Sequence, residues 1–110
     1  MEKLVKGDVV VLPFPFSDLS ASKKRPAYVL AKPNDGELIL CQITSSLKID
    51  SYSIALSSRD FKIGSIHITS IIKPNRIFTA DTAIVLNKIG TLKSEKIKEI
   101  DEAVINIIRN

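Results

Sequence analysis

The sequence predicts a mostly-β fold, a small half-open barrel with one C-terminal helix packed on it. Three observations carry that reading. Short apolar runs separated by Pro-, Gly- and Asn-bearing turns follow one another from residue 9 onward. A helical repeat is clear in a single stretch, Ser94 to Ile108, and that stretch comes last. Strands first and helix last argues against the alternating units that build a parallel sheet. At 110 residues, 45% hydrophobic and 25% charged, the chain reads as one folded domain spanning 1–110, not as a disordered segment.

Taken in order, Val9-Val10-Val11-Leu12 is a continuous apolar run, and Pro13-Phe14-Pro15-Phe16 stiffens its exit because proline cannot donate to a ladder. Ser17 to Lys24 has the small, polar composition of an exposed mobile loop. Strands are expected at about 26–32 and 37–44, joined by Asn34-Asp35-Gly36, a sequence able to supply the positive φ of a tight reversal. Ser53 to Leu56 predicts a short strand and Asp60 to Gly64 a turn. Residues 65–73 alternate as a strand that Pro74-Asn75 closes. Ile77 to Ala80 and Ile84 to Ile89 fit either a strand or a short helical turn. In the final segment Ser94 offers an N-cap and Glu95 a negative charge in the first turn. Ile97, Ile100, Ala103, Val104, Ile107 and Ile108 form one apolar stripe.

Composition narrows the chemistry. No apolar run approaches the ~18 residues of a membrane span, and Glu2, Lys3, Lys6 and Asp8 place charges where a signal peptide would carry its apolar core, so a cytoplasmic protein is expected. One cysteine, Cys41, cannot form an internal disulfide, and its alternating neighbours favour a buried thiol. One cysteine and one histidine exclude a Cys/His zinc site within the chain, and no metal or cofactor is expected. His67 lies in an alternating stretch and reads as a strand residue; nothing resembles a nucleophile elbow around any serine. The net charge of +4 points weakly to an anionic partner. Lys23-Lys24-Arg25 sharpens it, as either a solvated tip or a phosphate-facing patch.

That basic cluster runs straight into Pro26-Ala27-Tyr28-Val29-Leu30, and the next strand, Leu38 to Ile43, ends on Thr44-Ser45. Paired as a hairpin, the two strands set Arg25 and Thr44 face to face at one end of the sheet. A guanidinium offers permanent charge and a planar fork of donors; beside a hydroxyl, it suits a phosphate. The aromatic side chains that could stack bases are few: Phe14, Phe16, Tyr28 and Tyr52, each equally suited to packing.

Gly7-Asp8-Val9-Val10, Arg25-Pro26-Ala27-Tyr28-Val29-Leu30 and Ile43-Thr44-Ser45 resemble the PemK/MazF toxins of toxin–antitoxin pairs. Ser70-Ile71-Ile72-Lys73, Phe78-Thr79-Ala80-Asp81 and Lys88-Ile89-Gly90-Thr91-Leu92 follow in the same order, so the resemblance spans about residues 5 to 106. It implies an SH3-like barrel of the MazF/CcdB type and a homodimer. It also implies a metal-independent endoribonuclease that cuts single-stranded RNA at short motifs, leaving a 2′,3′-cyclic phosphate and a 5′-hydroxyl. A cognate antitoxin would lay its disordered tail in the RNA groove, and DNA would be met only through the antitoxin complex.

The resemblance makes Arg25 and Thr44 the catalytic pair, with Lys23, Lys24, Ser45, Lys73, Asn75 and Arg76 as RNA-binding residues. The chain departs from its relatives where many carry an acidic residue and a glutamine, at Asn75 and Arg76, and where some carry arginine, at Lys73. Asn75 cannot relay a proton, and Lys73 keeps a charge without the bidentate fork. Two other functions remain open: a barrel with attenuated cleavage that acts in operator autoregulation, and a gyrase-poisoning toxin of the same fold.

Overall fold

The computed structural model describes residues 3–14, 23–46 and 48–110. Seven strands form one curled half-barrel sheet: β1 Asp8–Phe14, β2 Lys23–Asn34, β3 Glu37–Thr44, β4 Ile54–Leu56, β5 Phe61–Gly64, β6 Ser70–Asp81 and β7 Asn87–Leu92. Helix α1, Ser94–Arg109, follows, and short 3-10 turns stand at Ser58–Asp60 and Thr82–Ile84. The spatial order is β4-β6-β3-β2-β1-β7-β5, and every pairing is antiparallel.

Both faces of the sheet are covered, which explains why β1 reads as an unbroken apolar run. Val9, Tyr28, Cys41, Ile43 and Ile72 face one way and pack with Leu56, Phe61, Leu92 and the helix residues Ile100 and Val104. Val10, Leu12, Phe14, Ala27, Val29, Leu38 and Leu40 face the other and enclose a second core with Val85, Phe78 and Ala80. The helical stripe is covered as far as Val104; Ile108 at its end is 74% exposed. The cap position falls on Lys93, with no side-chain bond, so Ser94 is the first residue inside the helix and not its cap.

Several local expectations are corrected. The 34–37 reversal uses no positive φ; the Asn34 side-chain oxygen accepts the Gly36 N–H at 3.0 Å and holds the turn instead. Residues 61–64 are a strand because they pair with β7. Residues 65–69 are not strand, and His67 is exposed there. Pro74-Asn75 does not end β6. Gln42 pairs with Lys73 and Cys41 with Ile77, so residues 74–76 are accommodated as a bulge, where proline's missing donor costs no ladder bond. Ile77 to Ala80 continues β6, whereas 84–89 divides between a 3-10 turn and β7. Lys23, Lys24 and Arg25 lie in β2, paired with Phe14, Pro13 and Leu12, not in a loop. The rest of the expected 17–24 loop, with Phe16, lies outside the described residues.

Gly64 closes the far edge. Its φ of +80° and a virtual Cβ 2.1 Å from the Ile89 carbonyl oxygen exclude a side chain where β5 meets β7. From there the chain turns into 65–69. At the other end Asp8 is wholly buried: its carboxylate accepts the Val5 N–H at 2.8 Å and the Thr91 hydroxyl at 2.7 Å. This ties the N-terminal turn to β7.

Candidate active site

Arg25 and Thr44 meet through strand register. β2 and β3 pair as Ala27↔Gln42, Tyr28↔Cys41 and Val29↔Leu40. Continuing that alignment by two residues sets Arg25 opposite Thr44. Alternation places both on the face of the second core, at its open end. There they line a cavity of about 220 Å³ with Phe14, Gln42, Ile43, Ser46, Lys48, Lys73 and Arg76. Phe14 and Phe78, edge to face at 5.1 Å, pack in the core behind it. The bulge at 74–76 delivers Arg76 to the cavity while Lys73 stays in the ladder.

Electrostatics follow from who is paired. Among the described residues no carboxylate pairs with Lys24, Arg25, Lys48 or Arg76. Four cations at one rim, with no carboxylate partner among the described residues, form a field that an anion completes. Thr44 is pre-set in the same sense. Its Oγ1 accepts the Ser46 N–H at 3.0 Å, which leaves its hydroxyl hydrogen available as a donor toward the cavity.

Lys73 differs. Its ammonium donates to the Lys48 carbonyl at 3.2 Å, the Asp50 carboxylate at 3.0 Å and the Ser53 hydroxyl at 3.3 Å. Its three donors are therefore committed. The hydrogen bond from Lys73 holds the Asp50 carboxyl below the usual carboxylate range. In this structure the Lys73 ammonium thus anchors the 48–53 loop.

A second hollow, of about 480 Å³, shares Arg25, Ile43, Thr44 and Ser46 and adds Lys24, Pro26 and Ser45. Lys24, Pro26 and Ser45 in turn border an apolar groove of about 590 Å³ walled by Val11, Ile66, Ile68 and Ile89, with His67 at its side. The three run together along the strand ends. The largest is lined by neither Arg25 nor Thr44, and the two smaller ones by both. Of the expected site residues, Lys23 and Asn75 are exposed and lie outside these three cavities. The register unites Arg25, Thr44, Ser45, Lys24, Lys73 and Arg76.

Sequence reasoning missed Gln42, Ser46, Lys48 and Asp50. Gln42 was findable, two residues from Thr44 on the same strand face. The others belong to a loop whose docking no periodicity encodes. Among the stacking candidates, Tyr28 and Phe14 are core residues, and Tyr52 lines a separate groove against Ala103 and Ile107. Cys41 is buried, and burial pushes its thiol up to about 12, so it stays protonated at neutral pH. Among the described residues no group of three or more His, Cys, Asp or Glu is placed to hold a metal ion. No helix among them is long and apolar enough to cross a membrane.

A curled half-barrel sheet with a cation-lined cavity at its strand ends is the class of fold and site that the chain presents. A family model described as the PemK-like, MazF-like toxin of type II toxin–antitoxin systems matches residues 5–108, and the chain belongs to that family. Among solved structures, MazF (Form-I) from Deinococcus radiodurans is similar with a TM-score of 0.77 at 16% identity, covering 100% of both chains. A MazE–MazF structure (Form-III) from the same organism gives 0.77 at 15%, covering 97% of each. An endoribonuclease in complex with its cognate antitoxin from a mycobacterial species gives 0.75 at 11%, covering 96% of this chain and 94% of that one. At such identities the likeness shows the fold. No curated protein matches the chain in sequence.

Proposed function

We propose that this toxin is a metal-independent endoribonuclease acting on single-stranded RNA. One observation carries the reading: Arg25 faces Thr44 in a cavity bordered by Lys48 and Arg76, and none of these three cations has a carboxylate partner among the described residues. In the proposed step the 2′-oxygen of the substrate attacks the adjacent phosphorus and the bond to the 5′-oxygen breaks. The products are a 2′,3′-cyclic phosphate and a 5′-hydroxyl. The nucleophile is already held by the substrate, so the protein's work is orientation and charge stabilisation. Arg25 spans two phosphorane oxygens; Thr44 donates its hydroxyl hydrogen to one. Among the described residues neither carboxylate nor imidazole lines the cavity. The 2′-hydroxyl proton is therefore released to water, and the leaving 5′-oxygen takes one from water.

The same rim suits an antitoxin tail that alternates acidic and apolar residues, since cations and the apolar groove adjoin. Ile63 and Ile68, 63% and 64% exposed beside that groove, support a homodimer in which a second copy covers them. The acid-poor cavity also favours a second reading, a barrel of attenuated activity that works through antitoxin complexes.

One assay decides. Single-stranded RNA incubated with the protein in excess chelator should be cut to cyclic-phosphate ends, and a 2′-deoxy substitution at the cut site should block the reaction. Loss of cleavage in chelator, or cutting of the deoxy substrate, overturns the mechanism. No cleavage with intact RNA binding leaves the attenuated barrel.

A further inference from the structure

Lys73 is 9% exposed, unusual for a lysine, and its ammonium turns from the cavity its stem lines toward the 48–53 loop. That loop is closed by its own bonds. Asp50 Oδ1 accepts the Tyr52 N–H at 2.9 Å and the Ser53 hydroxyl at 3.0 Å, while the Asp50 N–H donates to Ser53 Oγ at 3.1 Å. A chain of bonds then leads back to the site. Lys73 holds the Lys48 carbonyl, the Lys48 N–H donates to Ser46 Oγ at 3.4 Å, and the Ser46 N–H donates to Thr44 Oγ1.

We propose that Lys73 and Asp50 are positioning residues: their ion pair pins the loop beyond β3, and through Lys48 and Ser46 it fixes the Thr44 hydroxyl opposite Arg25, without Lys73 touching the substrate. This rests on the reading of the cavity as an RNA-cleavage site. The physical case is donor accounting. An ammonium whose donors are filled by a carbonyl, a carboxylate and a hydroxyl gains little by turning to a phosphate. Doing so strands the Lys48 carbonyl and leaves Asp50 as an uncompensated negative charge beside the incoming RNA. An ångström of drift at Thr44 costs catalysis steeply.

The test uses the full-length protein in single-turnover cleavage, together with the salt dependence of its affinity for RNA made uncleavable by a 2′-deoxy substitution. Lys73→Met and Asp50→Ala should each slow cleavage about tenfold, the scale of a misplaced catalytic group. The salt slope of Lys73→Met should equal that of wild type. In a Thr44→Val background Lys73→Met should add under about twofold, because both changes act through one hydroxyl. The Asp50 side chain is 45% exposed, so Asp50→Ala keeps the fold and carries the test if Lys73→Met does not.

A slope reduced by about 0.7 in Lys73→Met would show a lost phosphate contact and overturn the proposal. So would an Asp50→Ala protein that cuts at the wild-type rate and binds RNA more tightly, since that describes a liberated Lys73. Fully additive losses with Thr44→Val overturn it as well. If wild-type protein cuts RNA and Arg25→Ala does not, any of these results removes the positioning role alone. A wild-type protein that cuts nothing removes the function and this inference together.

Discussion

Under the proposed mechanism, Arg25 concentrates the chemistry in one side chain that the fold scarcely needs. It is half-buried at a strand end, outside both cores. Arg25→Ala should therefore cost ~3 kcal/mol of transition-state stabilisation, as for one preorganised donor, and leave thermal stability nearly unchanged. Single-turnover rates beside a melting curve check this; cleavage within a few-fold of wild type in a folded variant ends the assignment. Tyr28 is the opposite case. It is fully buried, and its hydroxyl has no hydrogen-bond partner among the described residues. Burial, first, and then the charge of Asp101 raise its pKa far above the ordinary phenol value. Removing an unsatisfied buried group costs nothing and relieves its desolvation, so Tyr28→Phe should match or exceed wild type in denaturant midpoint. A loss of more than about 1 kcal/mol would reveal a hydrogen bond that the fold depends on.

Elements differ in how plainly the sequence announces them. α1 was legible because a period-3.6 pattern survives where one face is buried and the other is not. β2 and β3, covered on both faces, were legible as apolar runs joined by a turn sequence. The Arg25–Thr44 pairing was legible for the same reason: both residues sit on one hairpin, and register does the rest. The 74–76 bulge was not, since a proline reads as a stop unless the partner strand is known. Nor was the ion pair of Lys73, whose carboxylate lies 23 residues away in a loop. β5 escaped notice because Gly64 breaks its pattern, yet that glycine is what the element needs. Gly64→Ala forces a Cβ into the Ile89 carbonyl and demands a positive φ of an L-residue. It should destabilise the protein by more than about 1 kcal/mol, read from denaturant unfolding. It should also displace the Ile66–Ile68 wall of the apolar groove. A neutral Gly64→Ala would mean that β5 pairs differently.

The whole molecule presents anion-seeking and apolar surfaces along one rim, and two kinds of partner should compete for it. At micromolar concentration light scattering should give a dimer. An acidic, apolar peptide should weaken RNA binding, and RNA the peptide's, because the same cations serve both. Simultaneous binding without mutual weakening, or a monomer, rules out the shared rim. The sheet also has a temporal consequence. β1 is paired with β7, Asp8 against Thr91, and the buried Asp8 carboxylate takes the Thr91 hydroxyl. A nascent chain on the ribosome reaches β1 first and cannot complete that pair until residues 87–92 have emerged. Until then Asp8 lacks that donor and β1 an edge partner, so the half-barrel stays unfinished until β7 is made. A 1–86 fragment should accordingly show no cooperative melt and no ribonuclease activity, and a sigmoidal transition from it would disprove the point. For a chain of a toxin family, this timing withholds the finished barrel from the cell until β7 has been translated.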